Sequence, residues 1–261
     1  MRVSYVIPSF NQGRYIKRCI ESCLAQEVEA FEIIVMDGGS TDETVDVLKS
    51  FGDQITWVSE KDDGQADAVN KGVERATGEI IAWVNSDDFY AAGALQAVVD
   101  VFESQPAVGL VHGRGSLVTA DGKPWRPVMT GPVTSAADLL AKPGNYIFQP
   151  TVFFRRSLFM EVGKLDPSLH YAMDMDLWLG MLPKTQWRFI DKELAFATTH
   201  TDAKSRAKLK ECFQQIESCK RRHAPMLNLS PMQHLRWRCG RLRQSLYALL
   251  VRLGIKQLPG D

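Results

Sequence analysis

Residues 3–7, 33–36, 55–59 and 80–84 are short apolar runs rich in β-branched and aromatic side chains, and the stretches between them follow a different period. Tyr15, Ile16, Cys19, Ile20, Cys23 and Leu24 fall on one face at 3.6-residue spacing, as do Ala66, Val69, Val73 and Ala76. The two-residue alternation of a strand does not produce that pattern. Strands alternating with helices of this length predict a mostly parallel sheet covered on both faces, because each parallel crossover lays a helix on a face. In such open α/β sheets ligands bind beyond the carboxyl ends of the strands.

Past residue 105 the rhythm changes. Residues 108–112 read as one more strand and residues 114–128 as a hairpin closed by Asp121-Gly122, which breaks the parallel order. Residues 130–148, rich in Pro, Gly and small side chains, read as a loop-dominated segment near a site. Phe153-Phe154 and residues 187–196 supply late strands, with a helix over 174–182 between them, and from residue 203 the pattern is helical and basic. A chain of 261 residues with 45% hydrophobic content is long enough for one large core, or one core plus an appendage.

The net charge of zero hides an asymmetry: residues 201–261 hold 13 Lys and Arg against 4 Asp and Glu, leaving 18 against 27 for residues 1–200. A basic tail on an acidic body predicts contact with an anionic surface, either nucleic acid or membrane phospholipid. No window approaches the roughly 18–20 apolar residues of a membrane span, and no signal-peptide pattern precedes the first strand, so the expected compartment is the cytoplasm. Five cysteines without CxxC or zinc-like spacing read as reduced thiols.

The predicted strand ends deliver Pro8, Ser9, Phe10 and Asn11, then Asp37, then Glu60, Asp62 and Asp63, then Asn85, Ser86, Asp87 and Asp88. One aspartate after a strand serves commonly as a helix cap or turn residue. Polar and acidic groups at four successive ends point instead to a ligand site. No GxGxxG or GxxxxGK[ST] follows a strand, which argues against a Rossmann dinucleotide site or a P-loop.

Residues 6–26 (VIPSFNQGRYIKRCIESCLAQ), 31–44 (FEIIVMDGGSTDET) and 78–88 (GEIIAWVNSDD), in this order, resemble the large family 2 of inverting glycosyltransferases, over roughly residues 3–200. Residues 149–178 (QPTVFFRRSLFMEVGKLDPSLHYAMDMDLW) resemble the acceptor-side half of bacterial members, of the polysaccharide and lipopolysaccharide type. The resemblance implies an α/β, A-type glycosyltransferase fold, with a mostly parallel central sheet flanked by helices. It implies a catalytic domain over residues 1–205, divided into a nucleotide-sugar-binding half (1–112) and an acceptor-binding half (113–205). A basic helical extension follows over 206–261. The implied activity moves a sugar from a nucleoside-diphosphate sugar, UDP by family habit, to a hydroxyl of a saccharide or lipid-linked acceptor.

Such a transfer needs the charge on the departing diphosphate to be stabilised, which a carboxylate-held divalent cation does well. Asn85-Ser86-Asp87 stands where the family has Asp-x-Asp, so the resemblance makes Asp87 a ligand of Mn²⁺ or Mg²⁺, with Asp88 a helper. Asn85, in place of the first Asp, can hydrogen-bond a ribose but adds no charge. The competing reading has this turn cap a helix starting near Phe89. Asp37 matches the family's base- or ribose-contacting aspartate, with a cap on a helix near Thr41 as its competitor. Pro8, Ser9 and Asn11 would line the nucleotide edge. Asp63 and Gln65 would line the donor-sugar side, and Lys71 either approaches the phosphates or is a plain surface lysine.

Inverting transfer also needs a general base. Asp174 falls on the family's base position, and Met173, in place of a common acidic residue, leaves Asp176 as an alternative. Both could merely complement a helix N-terminus. Gln149, His170 and Asp176 are expected on the acceptor side, and His200 corresponds to a metal- or diphosphate-contacting histidine in some members. In the tail, Leu235, Cys239, Leu242, Leu246, Leu249 and Leu253 recur at helical spacing among arginines. This is the profile of an interfacial helix on the inner membrane face rather than of a nucleic-acid binder, with packing on the catalytic domain or a second subunit, as a homodimer, as the alternative. Two other functions compete: a metal-dependent nucleotidyltransferase, which lacks its Gly/Arg/Lys-rich phosphate loop here, and a non-catalytic nucleotide- or partner-binding module.

Overall fold

A computed structural model describes residues 1–239 apart from 29, 143, 200–208, 228 and 236. His200 and the leucine stripe from Leu242 to Leu253 therefore lie outside the described residues.

Strand β1 (Val3–Ser9) sits between β2 (Phe31–Asp37) and β4 (Ile80–Trp83), with β3 (Thr56–Ser59) beyond β2. The four run parallel: Val6 pairs with Ile34 and Trp83, Ser9 with Asp37, and Asp37 with Ser59. Every residue of β1 is buried, as expected of a strand covered on both faces. Val6, Ile34, Met36, Ile81 and Trp83 enter one core with Ala66, Val69 and Val73 of α3 (Gln65–Arg75). Tyr5, Ile7, Ile33, Val35 and Ala82 enter the other. There they meet Ile16, Cys19, Ile20 and Cys23 of α1 (Gly13–Leu24), Leu48 of α2 (Thr44–Ser50) and Leu95, Val98 and Phe102 of α4 (Ala94–Ser104).

Beyond β4 the sheet is mixed. Strand β8 (Phe153–Arg155) is antiparallel to β4 and to β6 (Val108–Thr119), β9 (Gln186–Thr199) is parallel to β6, and β5 (Phe89–Tyr90) is antiparallel to β9. The expected hairpin is present, with β7 (Pro124–Pro127) antiparallel to β6 and Gly122 at φ 82° in its turn. Its first arm is not separate: β6 runs unbroken through residues 108–119. The segment read as loop contains α5 (Ala136–Ala141), whose N-cap Ser135 accepts from the Asp138 N–H at 3.1 Å. Helix α6 (Arg156–Val162), unmarked in the sequence reading, follows β8, and α7 (Met173–Met181) precedes β9.

No helix begins near Phe89. Phe89 packs on Phe196 across the β5–β9 pair (5.0 Å between centroids), and Tyr90 packs on Tyr5 and Phe153 at 5.4 Å each. The aromatic pair is thus held extended by cross-strand packing. Helix α4 starts five residues later, so Asn85 to Asp88 cap nothing. Helix α8 (Leu209–His223) buries Ile216 and Cys219 in the core that holds Met175 and Trp178 of α7.

Helix α3 approaches β1 closely at Gly72, where an added Cβ would lie 2.4 Å from Val6 Cγ1. Gly72→Ala should therefore destabilise the protein by about 1–3 kcal/mol despite alanine's helix propensity. Denaturant unfolding checks this, with a smaller penalty expected in a Val6→Ala background.

Candidate active site

The parallel register brings the carboxyl ends of β3, β2, β1 and β4 to one edge. Asp37 is 2% exposed and accepts from the Ser40 N–H at 2.9 Å, the Ser40 hydroxyl at 2.5 Å and the Ser59 hydroxyl at 2.6 Å. It caps no helix, since the first N–H of α2, that of Thr44, donates to the Asp42 carboxylate at 3.0 Å. Asn11 takes up the left-handed conformation (φ 53°) that asparagine tolerates. Its side-chain oxygen accepts from Thr41 N–H at 2.8 Å, and its own N–H donates to the Ser40 hydroxyl at 2.7 Å. Ser9 is buried and its carbonyl accepts from Gly38 N–H at 2.8 Å. Pro8 lies past the last β1–β4 pair, Val6 with Trp83, where a strand tolerates a missing donor. These loops form one cross-linked rim.

Asn85, just beyond β4, is the node of a second network. Its carbonyl oxygen accepts from Gln65 at 2.7 Å and from the Trp83 indole at 3.2 Å, and its amide donates to Asp88 at 3.2 Å and to Gln149 at 3.1 Å. All four hydrogen-bonding positions of the side chain are thereby taken. Gln149 also donates to the Trp83 carbonyl at 2.7 Å. It reaches this edge because the 3-10 turn Gln149–Thr151 leads into β8, which runs back along β4.

The turn after Asn85 carries Ser86, buried, and the adjacent carboxylates of Asp87 and Asp88. Asp88 accepts from Thr198 N–H at 3.1 Å, so the far end of β9 is tied to this turn, and Thr198 donates in turn to the Asp87 carbonyl. Burial, then the charge of Asp87, pushes the Asp88 carboxyl well above the usual carboxylate range, opposed by its hydrogen bonds and by Arg18. Arg18 donates to the Thr198 hydroxyl at 2.7 Å and lies over the Phe89 ring at 4.5 Å.

Two adjacent carboxylates, one of them buried, disfavour each other's charge; Arg18 offsets part of this, and a bound divalent cation would offset more. Among the described residues no three His, Cys, Asp or Glu side chains gather as a metal-binding group. Asp87 and Asp88 offer carboxylate oxygens, the donor type that Mg²⁺ and Mn²⁺ take.

Asp174 lies in the first turn of α7. It accepts from the Asn145 amide and, at 2.7 Å, from Met175 N–H. Burial pushes it up to about 6, against the pull of these hydrogen bonds. Asp176 points elsewhere: its carboxylate is held by Arg222 and, at 2.7 Å, by His223, both on α8. Lys71 pairs with Asp67 at 2.8 Å, and Asp63, exposed, donates its N–H to the same carboxylate at 3.2 Å. His170 is exposed in the loop before α7. The structure therefore joins Gln65, Asn85, Asp88 and Gln149 directly, and sets Ser9, Asn11 and Asp37 in the neighbouring rim. Arg18, Trp83, Asn145 and Thr198 were not singled out by the sequence. Arg18 and Trp83 lie inside the segments 6–26 and 78–88 that carry the resemblance, whereas Asn145 and Thr198 lie outside every such segment.

A family model described as Glycosyl transferase family 2 matches residues 4–163. An uncharacterized glycosyltransferase of Nostoc sp. is 33% identical over 176 residues, covering 64% of this chain and 55% of that protein. Chondroitin synthase of Escherichia coli is 25% identical over 249 residues, covering 90% of this chain and 36% of that protein. The chain spans 55% and 35% of the lengths of the Nostoc sp. and Rickettsia felis relatives it matches. In structure, S. aureus TarS 1-349 in complex with UDP-GlcNAc aligns with a TM-score of 0.72 at 17% identity, over 90% of this chain and 69% of that one. The mannosyltransferase PcManGT from Pyrobaculum calidifontis, in complex with GDP-Man and Mn²⁺, aligns with a TM-score of 0.65 at 18% identity, over 99% and 76%. At these identities the structural likeness speaks to the fold, and the matched 160 residues speak to descent: the chain belongs to glycosyl transferase family 2 and has the A-type α/β glycosyltransferase fold.

Proposed function

We propose that this protein is a metal-dependent, inverting glycosyltransferase that moves a sugar from a nucleoside-diphosphate sugar, read as a UDP-sugar, to a hydroxyl of a saccharide or lipid-linked acceptor in surface polysaccharide synthesis. The observation that carries the reading is the Asp87-Asp88 turn, which stands between the rim of Ser9, Asn11 and Asp37 and the returning segment that bears Gln149. In this reading the rim holds the nucleotide. A carboxylate offers about four lone-pair sites; three of Asp37's accept from Ser40 and Ser59, which leaves one for uracil N3–H.

Asp87, joined by His200, would hold the cation, and a bound divalent ion would offset charge on the departing diphosphate. Asn85, Ser86, Gln65 and Asp63 border the donor side, while Lys71 is engaged with Asp67. Asp174 would take the proton of the acceptor hydroxyl as that oxygen attacks the anomeric carbon. A carboxyl pushed up to about 6 is closer to the optimum for a base near neutral pH than an ordinary aspartate. Gln149 and His170 remain assigned to the acceptor side. Asp176, locked to Arg222 and His223, we read as holding α8 on α7 rather than touching the acceptor. We further divide the chain at about residue 205, and place residues beyond 239 on an anionic membrane face. No helix among the described residues is long and apolar enough to cross a membrane. The sequence marks this segment from about Ser230 to Ile255; because Leu229 and Trp237 pack against the core, only its part beyond residue 239 is kept in the proposal.

Donor binding, metal dependence, the base, the product anomer and the tail are each open to measurement. A thermal-shift screen of UDP-, GDP- and dTDP-sugars with and without Mn²⁺ should identify a donor whose stabilisation needs the cation. Hydrolysis of that donor should be lost in excess chelator and in Asp87→Ala, and full activity in chelator defeats the metal assignment. Turnover of Asp174→Asn should fall by about 10²–10⁴-fold with donor binding intact. Because Asp174 works only when ionised, kcat/KM of the wild type should fall as pH drops through about 6, and the product should have the inverted anomeric configuration by NMR coupling. Removal of residues 240–261 should abolish sedimentation with anionic liposomes while leaving donor hydrolysis in place; equal binding by the shortened chain would refute membrane contact.

A further inference from the structure

Helix α8 lies beyond the stretch matched by the family model, yet it reaches the candidate base. Lys220 on α8 is fully buried, and its ammonium donates to the carbonyls of Lys142 at 2.7 Å and Gly144 at 3.1 Å. The second of these carbonyls immediately precedes Asn145, whose amide donates to Asp174. An apolar side chain of the same length would fill this space without desolvating a charge. What lysine supplies is a pair of directed bonds to one loop.

The other side of the Asp174–Asn145 contact is anchored on the same helix. Gln215 accepts from Tyr171 N–H at 2.9 Å, Cys219 donates to the Ala172 carbonyl at 3.9 Å, and Arg222 and His223 hold Asp176. Thus α8 grips both the loop that carries Asn145 and the first turn of α7.

We propose that Lys220 is a positioning residue for the general base, setting Asn145 against Asp174 through the Gly144 carbonyl that precedes it. The inference rests on the reading of Asp174 as base, and it extends the working site to a helix outside the matched family segment. The Asn145 hydrogen bond favours the ionised carboxylate, opposing burial. Cys212 and Cys219 face Asp174 from α8 with thiols pushed up to about 11 and about 12, and are neutral where Asp174 titrates. On its own helix Asp176 is paired with Arg222 and His223. Lys220 itself, facing Glu217, is drawn down to about 8 by burial, so it stays charged below neutral pH.

The test follows the Asp174 side-chain carboxyl by ¹³C NMR in the full chain from about pH 4.5 to 7, with its resonance identified from Asp174→Asn. Asn145→Ala and Lys220→Met should each raise its midpoint by roughly 0.5–1 pH unit, and the double variant should shift no further than either single one. A Lys220→Met midpoint at the wild-type value, or a double-variant shift equal to the sum, overturns the proposal. Should Lys220→Met fail to melt cooperatively, Lys220→Leu, which likewise carries no donor, decides by the same comparison. Loss of the base reading shows separately, as unchanged hydrolysis of a Mn²⁺-dependent donor by Asp174→Asn.

Discussion

The parallel pairing of β1 with both β2 and β4 is the constraint on which the site depends. Because the strands share a direction and a register, Ser9, Asp37 and Ser59 end side by side, and Asn85 emerges next to them. The loops leaving that edge then have no room to be independent. Asn11 bonds to Ser40 and Thr41, while the Gln12 and Gly13 N–H groups of the α1 start donate to Thr44 and Asp42 at 3.0 Å each. A slip of one residue in β1 would exchange the faces of Tyr5 and Val6, and the Val6 face has no spare volume against Gly72.

A parallel half alone would leave the carboxyl edge open on one side. The reversal at β8 closes it, since a strand antiparallel to β4 must begin where β4 ends, and so returns Gln149 to Asn85. Asparagine suits this node in a way aspartate does not. Its NH₂ supplies the two donors that meet Asp88 and the Gln149 oxygen, whereas a carboxylate would offer none and would set a third negative charge beside Asp87 and Asp88. The departure from the family's Asp-x-Asp therefore has a local physical reason. Asp88, bonded to both Asn85 and Thr198, fastens the end of β9 to the same turn.

Strand and helix positions in the first 84 residues were legible because both periodicities are clean and the central strands β1 and β4 are buried on both faces. The region around Phe89 was not. Its helical appearance came from the polar cluster before it, while its extended state comes from Phe196, Tyr5 and Phe153, all remote in sequence. Likewise the two aspartates of the 173–178 segment look alike in sequence. They separate only because α8 brings Arg222 and His223 to one, while Asn145 meets the other.

By itself the sequence determined the alternating strand–helix rhythm, the parallel order it requires, the family, and the list of polar residues at the strand ends, since each of these is written in local periodicity or a contiguous motif. Tertiary structure alone decided which of those residues meet. It made Asn85 a saturated node, left Lys71 to Asp67, buried Lys220 behind Asn145 and pushed Asp174 up toward neutral pH. Hydrogen bonding and desolvation depend on what lies within a few ångströms in space, and neither distance can be read from spacing along the chain.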